Sequence, residues 1–381
     1  MAMGHLDKRE ITVIGGGVAG LTAALALAQR GAQVTVLERA DALREVGAGL
    51  QISANAGRVL AALGLDTALD AVSVRSRAVQ LHDRAGRRVA RLDLAAHRPD
   101  AAFRMIHRAR LLAVLEQAAR DAGVTIRLNT LVQSLPNEAG LVIGADGARS
   151  RVREVLDGKR NPFFTGQTAW RALIPLESAA PPEAHVFMGP GRHLVSYPLA
   201  NGLRNIVAVQ ERDQWVAEDW SQPDDPANLR AAFARFGGPV PGWLAQVSEV
   251  RIWGLFRHPV AGRWQDGRAA ILGDAAHPTL PFMAQGAVMA IEDAWLLAAA
   301  LDAIPDQAQA LAEWQARRRP RVTRIVEAAN ANARNYHLSG PVALAGHLGL
   351  RAVSALAPDR LLGRFDWIYD YDPVAEVFTQ A

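Results

Sequence analysis

Ile11-Thr12-Val13-Ile14-Gly15-Gly16-Gly17-Val18-Ala19-Gly20 decides the fold. A short apolar run that stops at glycines predicts a buried strand, and residues 18–30 predict a helix. Residues 34–37 predict a second buried strand, which makes a β-α-β unit and starts a parallel sheet. Gly15 permits the tight turn, Gly17 lets a pyrophosphate approach the backbone, and Gly20 lets helix and strand pack closely. The helix N-terminus adds amide donors and a favourable dipole. Glu38 ends the second strand, 18 residues past Gly20. A carboxylate there can take both hydroxyls of an unphosphorylated ribose. Strand, helix and acid in register predict dinucleotide binding; a simple glycine-rich turn requires none of them.

Working outward, residues 141–145 predict a strand leading into Asp146-Gly147-Ala148-Arg149, and residues 269–273 a strand leading into Asp274. A strand is predicted at 124–128, and helices near 55–63, 107–121 and 286–301. Residues 76–93 alternate apolar and polar, like antiparallel strands. Residues 168–256 read as strands and turns with one polar helix near 225–236. The buried strands thus fall in three blocks with alternating strands between them. The prediction is an α/β fold: a Rossmann-like nucleotide domain over 1–75, 102–165 and 258–335, interleaved with an antiparallel-sheet substrate domain over 76–101 and 166–257. Residues 336–381 form a C-terminal helical segment. No second strand-glycine-helix unit is present.

The chain has 381 residues, half of them hydrophobic, 21% charged, with a net charge of +4, a globular composition. The basic residues are arginines except Lys8 and Lys159. The one dense run, Arg317-Arg318-Arg319-Pro320-Arg321, reads as a solvated helix face, and no nucleic-acid motif accompanies it. With no Cys, disulfides, thiolate metal sites, Cys nucleophiles and a cysteinyl-linked flavin are excluded. No secretory signal and no spanning apolar run is read, so a cytoplasmic protein, not integral to a membrane and binding no metal, is expected.

Asp274 stands at a strand end, where a carboxylate can hold a chain of hydroxyls. Pro278 and Pro281 stiffen the loop that follows. That loop feeds a long helix whose N-terminus can face an anionic ring such as a reduced flavin. His277, in the same loop, reads as structural, and Glu292 and Asp293 as partners of an Arg or of backbone. On the segment His193-Leu194-Val195-Ser196-Tyr197-Pro198, positions two apart share a face. A base and a phenol there suit proton removal from a ring hydroxyl; the bland alternative is a packed strand with a solvent-facing His. Gln51 and Gln285 are candidate polar contacts to substrate. Phe103, Met105, Trp170, Phe187 and Met283 are candidate wall residues that equally suit a plain core.

The glycine turn with Glu38, the segment 144–147 with Arg149, and Gly273-Asp274 before a proline-rich loop resemble the three fingerprints of the single-component FAD-dependent aromatic hydroxylases, the para-hydroxybenzoate hydroxylase type. Segments 44–60, 106–112, 277–287 and 365–373 are similar to the salicylate and 3-hydroxybenzoate hydroxylase branch. The resemblance implies a monooxygenase that hydroxylates a small phenolic or heteroaromatic acid ring with O₂ and NADH or NADPH, through a flavin C4a-hydroperoxide. It implies non-covalent FAD held by Gly15, Gly17, Ala19, Gly20, Glu38, Arg39, Arg108, Leu131, Val132, Asp146, Asp274, Gly286 and Ala287. It assigns catalysis to His193, Tyr197 and Gln285, and substrate contact to these and Gln51. A monomer or homodimer is expected. Two departures stand out: Arg110, where the family usually has Asp, and a link over 131–141 too short for the usual hairpin. A lipid-like quinone precursor and a flavin-binding regulator without turnover are the alternatives; the halogenase reading lacks a suitably placed lysine. Among Arg104, Arg171, Arg192 and Arg204 the sequence does not choose a carboxylate-binding residue.

Overall fold

A computed structural model describes residues 5–43, 49–99, 101–136, 140–215 and 222–379. Part of the glycine turn at 47–50 and part of the short link over 131–141 lie outside them. Glu10–Ile14 is the central strand of a five-stranded parallel sheet in the order Ala269–Ile271, Leu141–Gly144, Glu10–Ile14, Gln33–Leu37, Thr125–Arg127. Parallel strands are covered on both faces, which is why Leu141–Gly144 and Ala269–Ile271 are apolar and buried throughout, whereas the edge strand Thr125–Arg127 is not. Helix Val18–Ala28 is apolar nearly all round and buried at nine positions. It packs between helices Arg108–Asp121 and Gly286–Ala303.

The second sheet has eight strands among the described residues. Its order is Gln222–Asp224, Val250–Arg257, Phe163–Pro175, Leu203–Glu211, Arg192–Leu199, Glu183–Gly189, Ala78–His82, Arg88–Asp93. One pairing corrects the antiparallel expectation, because Glu183–Gly189 runs parallel to Ala78–His82. Ala78–His82 and Arg88–Asp93 are joined by a tight turn that forces them antiparallel. The two segments joined by the parallel pairing are far apart in sequence, so no turn dictates their direction. A third, three-stranded sheet of Gly49–Ile52, Arg104–His107 and Ser73–Arg75 was not predicted. It leans on the large sheet: the Gly49 amide donates to Asn205 Oδ1 at 2.9 Å. A Cβ on Gly49 would lie 2.7 Å from the Tyr197 ring, so only glycine allows this approach.

The basic run is only in part a solvated face: Arg317 and Arg319 are exposed, but Arg318 and Arg321 turn inward. It lies on helix Gln307–Tyr336, and Arg318 is wholly buried. Its guanidinium meets Glu292 at 2.7 Å and Asp293 at 2.8 Å, while Arg321 meets Glu292 at 2.9 Å. Helix Gly286–Ala303 buries both carboxylates completely. Buried charges persist only when paired, and this demand draws Arg318 and Arg321 inward. His277 belongs to the same cluster, its Nε2 on Asp293. Glu292, Asp293 and His277 are therefore structural, as expected. Helices Gly340–Leu356, Pro358–Gly363 and Asp366–Tyr369 end the chain. No helix among the described residues is long and apolar enough to cross a membrane.

Candidate active site

A cavity of about 1260 Å³ runs from the first glycine turn to the face of the eight-stranded sheet. That exceeds the roughly 300–1,000 Å³ usual for one small ligand and suits a dinucleotide plus a substrate. At its nucleotide end Gly15 has φ +106°, and a Cβ there would stand 2.4 Å from the Ala145 carbonyl oxygen. A Cβ on Gly20 would fall 1.9 Å from the Gly15 oxygen, so helix and strand touch backbone to backbone. At Gly17 an added Cβ would meet nothing within 4 Å, which leaves an open approach along the cavity wall. Glu38 accepts from the Gly16 amide at 2.7 Å and the Ala40 amide at 2.9 Å. Each oxygen keeps a further lone pair for a hydroxyl.

Ala19, Arg39, Leu131 and Val132 line this end, and Arg108, Asp146, Asp274, Gly286 and Ala287 line the middle. Gly20 is absent from the wall; its part is the close packing behind it. Asp146 Oδ2 accepts from the Arg151 amide at 2.7 Å, while Oδ1 is buried with no hydrogen-bond partner. A buried acceptor left unmade costs about 1–3 kcal/mol, so Oδ1 awaits a donor. Burial pulls the Arg108 guanidinium down from its ordinary value, and the Asp274 charge opposes that. The open glycine, the Glu38 carboxylate and the waiting Asp146 oxygen fit an ADP-bearing cofactor.

At the other end His193, Val195 and Tyr197 line the wall together, as strand alternation predicts. Burial holds the His193 imidazole well below the usual histidine range, with His337 adding to the effect. His193 is therefore neutral, and its Nδ1 lies 2.7 Å from His337 Nε2. Burial pushes the Tyr197 phenol up, against the pull of Arg171. Tyr197 is thus a donor at neutral pH rather than a base.

Arg171 also lines the cavity. In the ladders it pairs with Val207, and Val207 pairs with Val195, so the three form one row across three strands. Burial pulls its guanidinium down to about 10, which leaves it charged at neutral pH. Its guanidinium also lies over the Trp253 ring, 4.7 Å from the centroid. Arg104, Arg192 and Arg204 do not line this cavity: Arg104 meets Asp66 and Asp70, Arg192 the Ala232 carbonyl, and Arg204 Glu177 and Ser196. Gln51 lines the cavity, but Gln285 does not. Gln285 is buried with its Nε2 donating to Ser53 Oγ at 3.0 Å and its Oε1 accepting from Asn55 at 3.4 Å. Tertiary packing of its helix against Ala54–Ala62 turns it from the substrate space. Phe103, Met105, Trp170, Phe187 and Met283 are likewise not cavity walls. His337 escaped sequence reasoning, since it follows a long helix with no motif around it.

A family model described as FAD binding domain matches residues 8–140 and 138–329. The chain is 35% identical to a 3-amino-4-hydroxybenzoate 2-monooxygenase of Streptomyces platensis, over 97% of this chain and 98% of that one. It is 31% identical to a 3-hydroxybenzoate 6-hydroxylase of Polaromonas naphthalenivorans, over 95% of this chain and 96% of that one. Among solved structures, Klebsiella pneumoniae HpxO complexed with FAD and uric acid superimposes with a TM-score of 0.82 at 25% identity, covering 93% of this chain and 95% of that one.

Proposed function

The chain belongs to the FAD-binding-domain family of FAD-dependent aromatic monooxygenases, and from that premise we propose that it hydroxylates a small phenolic ring bearing a carboxylate. The observation that carries the substrate class is the row of Arg171, Val207 and Val195, flanked by His193 and Tyr197 on one cavity wall. A cation set among valines suits an aromatic acid better than a lipid-like ring. The two relatives above are named for ring substrates that carry both a hydroxyl and a carboxylate.

Gly15, Gly17 and Glu38 hold the ADP half of the cofactor, Arg108 and Asp146 the pyrophosphate region, and Asp274 the ribityl chain. Gly286 and Ala287 begin a helix on the cavity wall whose dipole would stabilise negative charge on the cofactor's ring. FAD, when bound, supplies the redox chemistry and the activation of O₂, with NADH or NADPH as a transient co-substrate. The chain's own residues bind and orient the acid. Arg171 takes the carboxylate, Tyr197 donates to the ring oxygen, the valines exclude water, and His193 accepts the phenolic proton at Nε2. The nucleotide domain comprises 1–75, 102–165 and 258–335, and 76–101 with 166–257 the substrate domain, in a cytoplasmic monomer or homodimer.

The test is a screen of hydroxybenzoates, including 3-amino-4-hydroxybenzoate and 3-hydroxybenzoate, following NAD(P)H oxidation and product mass together. Arg171→Met should raise KM for the acid by about 10- to 100-fold, the worth of a charge-assisted hydrogen bond. The corresponding ring amide should lose far less; equal losses for acid and amide would remove Arg171 from carboxylate binding. Glu38→Ala should weaken FAD binding by about 1–3 kcal/mol, read as a Kd from flavin fluorescence. An unchanged Kd would mean that the ribose is held elsewhere.

A further inference from the structure

We infer that His193, His337 and Glu211 form a proton relay that carries the substrate's phenolic proton from the cavity to solvent, with Glu211 setting the tautomer of both rings. The inference rests on the hydroxylase reading above. A buried imidazole that takes the substrate's proton carries a charge away from water, which favours moving the proton on to a group nearer the surface. His193 is 2% exposed on the cavity wall, so its proton must leave through the cavity or through a neighbouring group. Its Nδ1 lies 2.7 Å from His337 Nε2, and His337 Nδ1 lies 2.7 Å from Glu211 Oε1. The Glu211 side chain, at the end of strand Leu203–Glu211, is 55% exposed. Three groups thus connect the cavity wall to the surface.

The direction of each hydrogen bond follows from one fact: a carboxylate only accepts. His337 must donate its Nδ1–H to Glu211, so a neutral His337 has a bare Nε2. His193 must then donate its Nδ1–H to that nitrogen, and its own Nε2 is left bare as the base. Burial lowers the pKa of both rings and keeps them neutral; Glu211 opposes this at His337, and the Arg192 charge adds to it. A further titratable neighbour, Tyr336, has its ring 5.1 Å from that of His193, and burial keeps it a phenol, while Tyr197 and Arg171 share the cavity wall.

In the forward direction the phenol O–H breaks and an N–H forms at His193 Nε2. The His193 Nδ1 proton passes to His337 Nε2, and the His337 Nδ1 proton passes to Glu211, which releases it to water. Reprotonation of the product runs the chain backwards and restores both tautomers. His193 touches the substrate; His337 and Glu211 act through it.

¹⁵N-histidine NMR of the FAD-loaded enzyme without substrate tests the tautomers, with His193→Gln and His337→Gln used for assignment. Both rings should carry hydrogen on Nδ1 and none on Nε2. In Glu211→Ala, a surface change, His337 should become a mixture of tautomers. An Nε2–H ring in the wild type, or an unchanged spectrum in Glu211→Ala, would overturn the relay. A stopped-flow pH jump with bound 3-hydroxybenzoate follows phenolate absorbance directly. His337→Phe and Glu211→Ala should each slow its appearance by about tenfold or more while the Kd of the probe holds. Wild-type rates in both variants would also overturn the relay. Failure of 3-hydroxybenzoate to bind the wild type would count against the substrate class, and the NMR result alone would then decide the relay.

Discussion

His193→Ala is expected to keep oxidising NAD(P)H in the presence of an aromatic acid while forming about 10² to 10⁴-fold less hydroxylated product, the usual cost of losing a positioned base. Hydride transfer needs only the ring systems in place, whereas hydroxylation needs an electron-rich phenolate. Reducing equivalents would then leave as H₂O₂. Product per nicotinamide consumed, with catalase as a control, reads the effect. Tyr197→Phe should also lower this ratio, but less, because a buried phenol held in its protonated form contributes a hydrogen bond and not a base. Full coupling in His193→Ala would take the base away from this wall. The wild-type pH profile follows from the same burial. The neutral imidazole is the active form, and its pKa lies well below the ordinary value of about 6.5. Coupling should therefore hold as pH falls through that value and fail only at lower pH.

Arg318→Met should destabilise the protein by about 3–5 kcal/mol, because it strips a partner from two fully buried carboxylates. Arg321 still meets Glu292, and His277 still meets Asp293, so the lower end is expected. Burial alone would raise the Asp293 carboxyl, but His277 and Arg318 overcome it and hold it at about 2. A carboxyl lowered on folding adds stability above the unfolded value of about 3.9, and that contribution is lost as pH falls toward the folded one. In Arg318→Met the loss should begin at higher pH. Urea unfolding from pH 3 to 8 checks both statements; an unchanged midpoint at pH 7 would return the basic run to the solvent face. The cluster also concerns the site, since the helix that buries it starts with Gly286 and Ala287 on the cavity wall.

The sequence by itself determined the parallel sheet and its nucleotide turn. Their causes are local: Gly15 must adopt positive φ, Gly20 must vanish against the Gly15 backbone, and Glu38 must end the adjacent strand. It also placed His193, Val195 and Tyr197 on one face, because alternation along a strand is a property of the backbone alone. Tertiary structure decided what no single segment contains. Of four arginines, only Arg171 was brought to the cavity wall, in one row with Val207 and Val195, by the register of three strands. Gln285 was turned toward Ser53 and Asn55, residues more than 200 positions away in the chain. Arg318 was drawn inward by carboxylates on another helix. His337 meets His193 across 144 positions, a pairing that only the packed chain creates. Backbone geometry is written into neighbouring residues, whereas the partner of a buried charge or ring is chosen by whichever distant element closes over it.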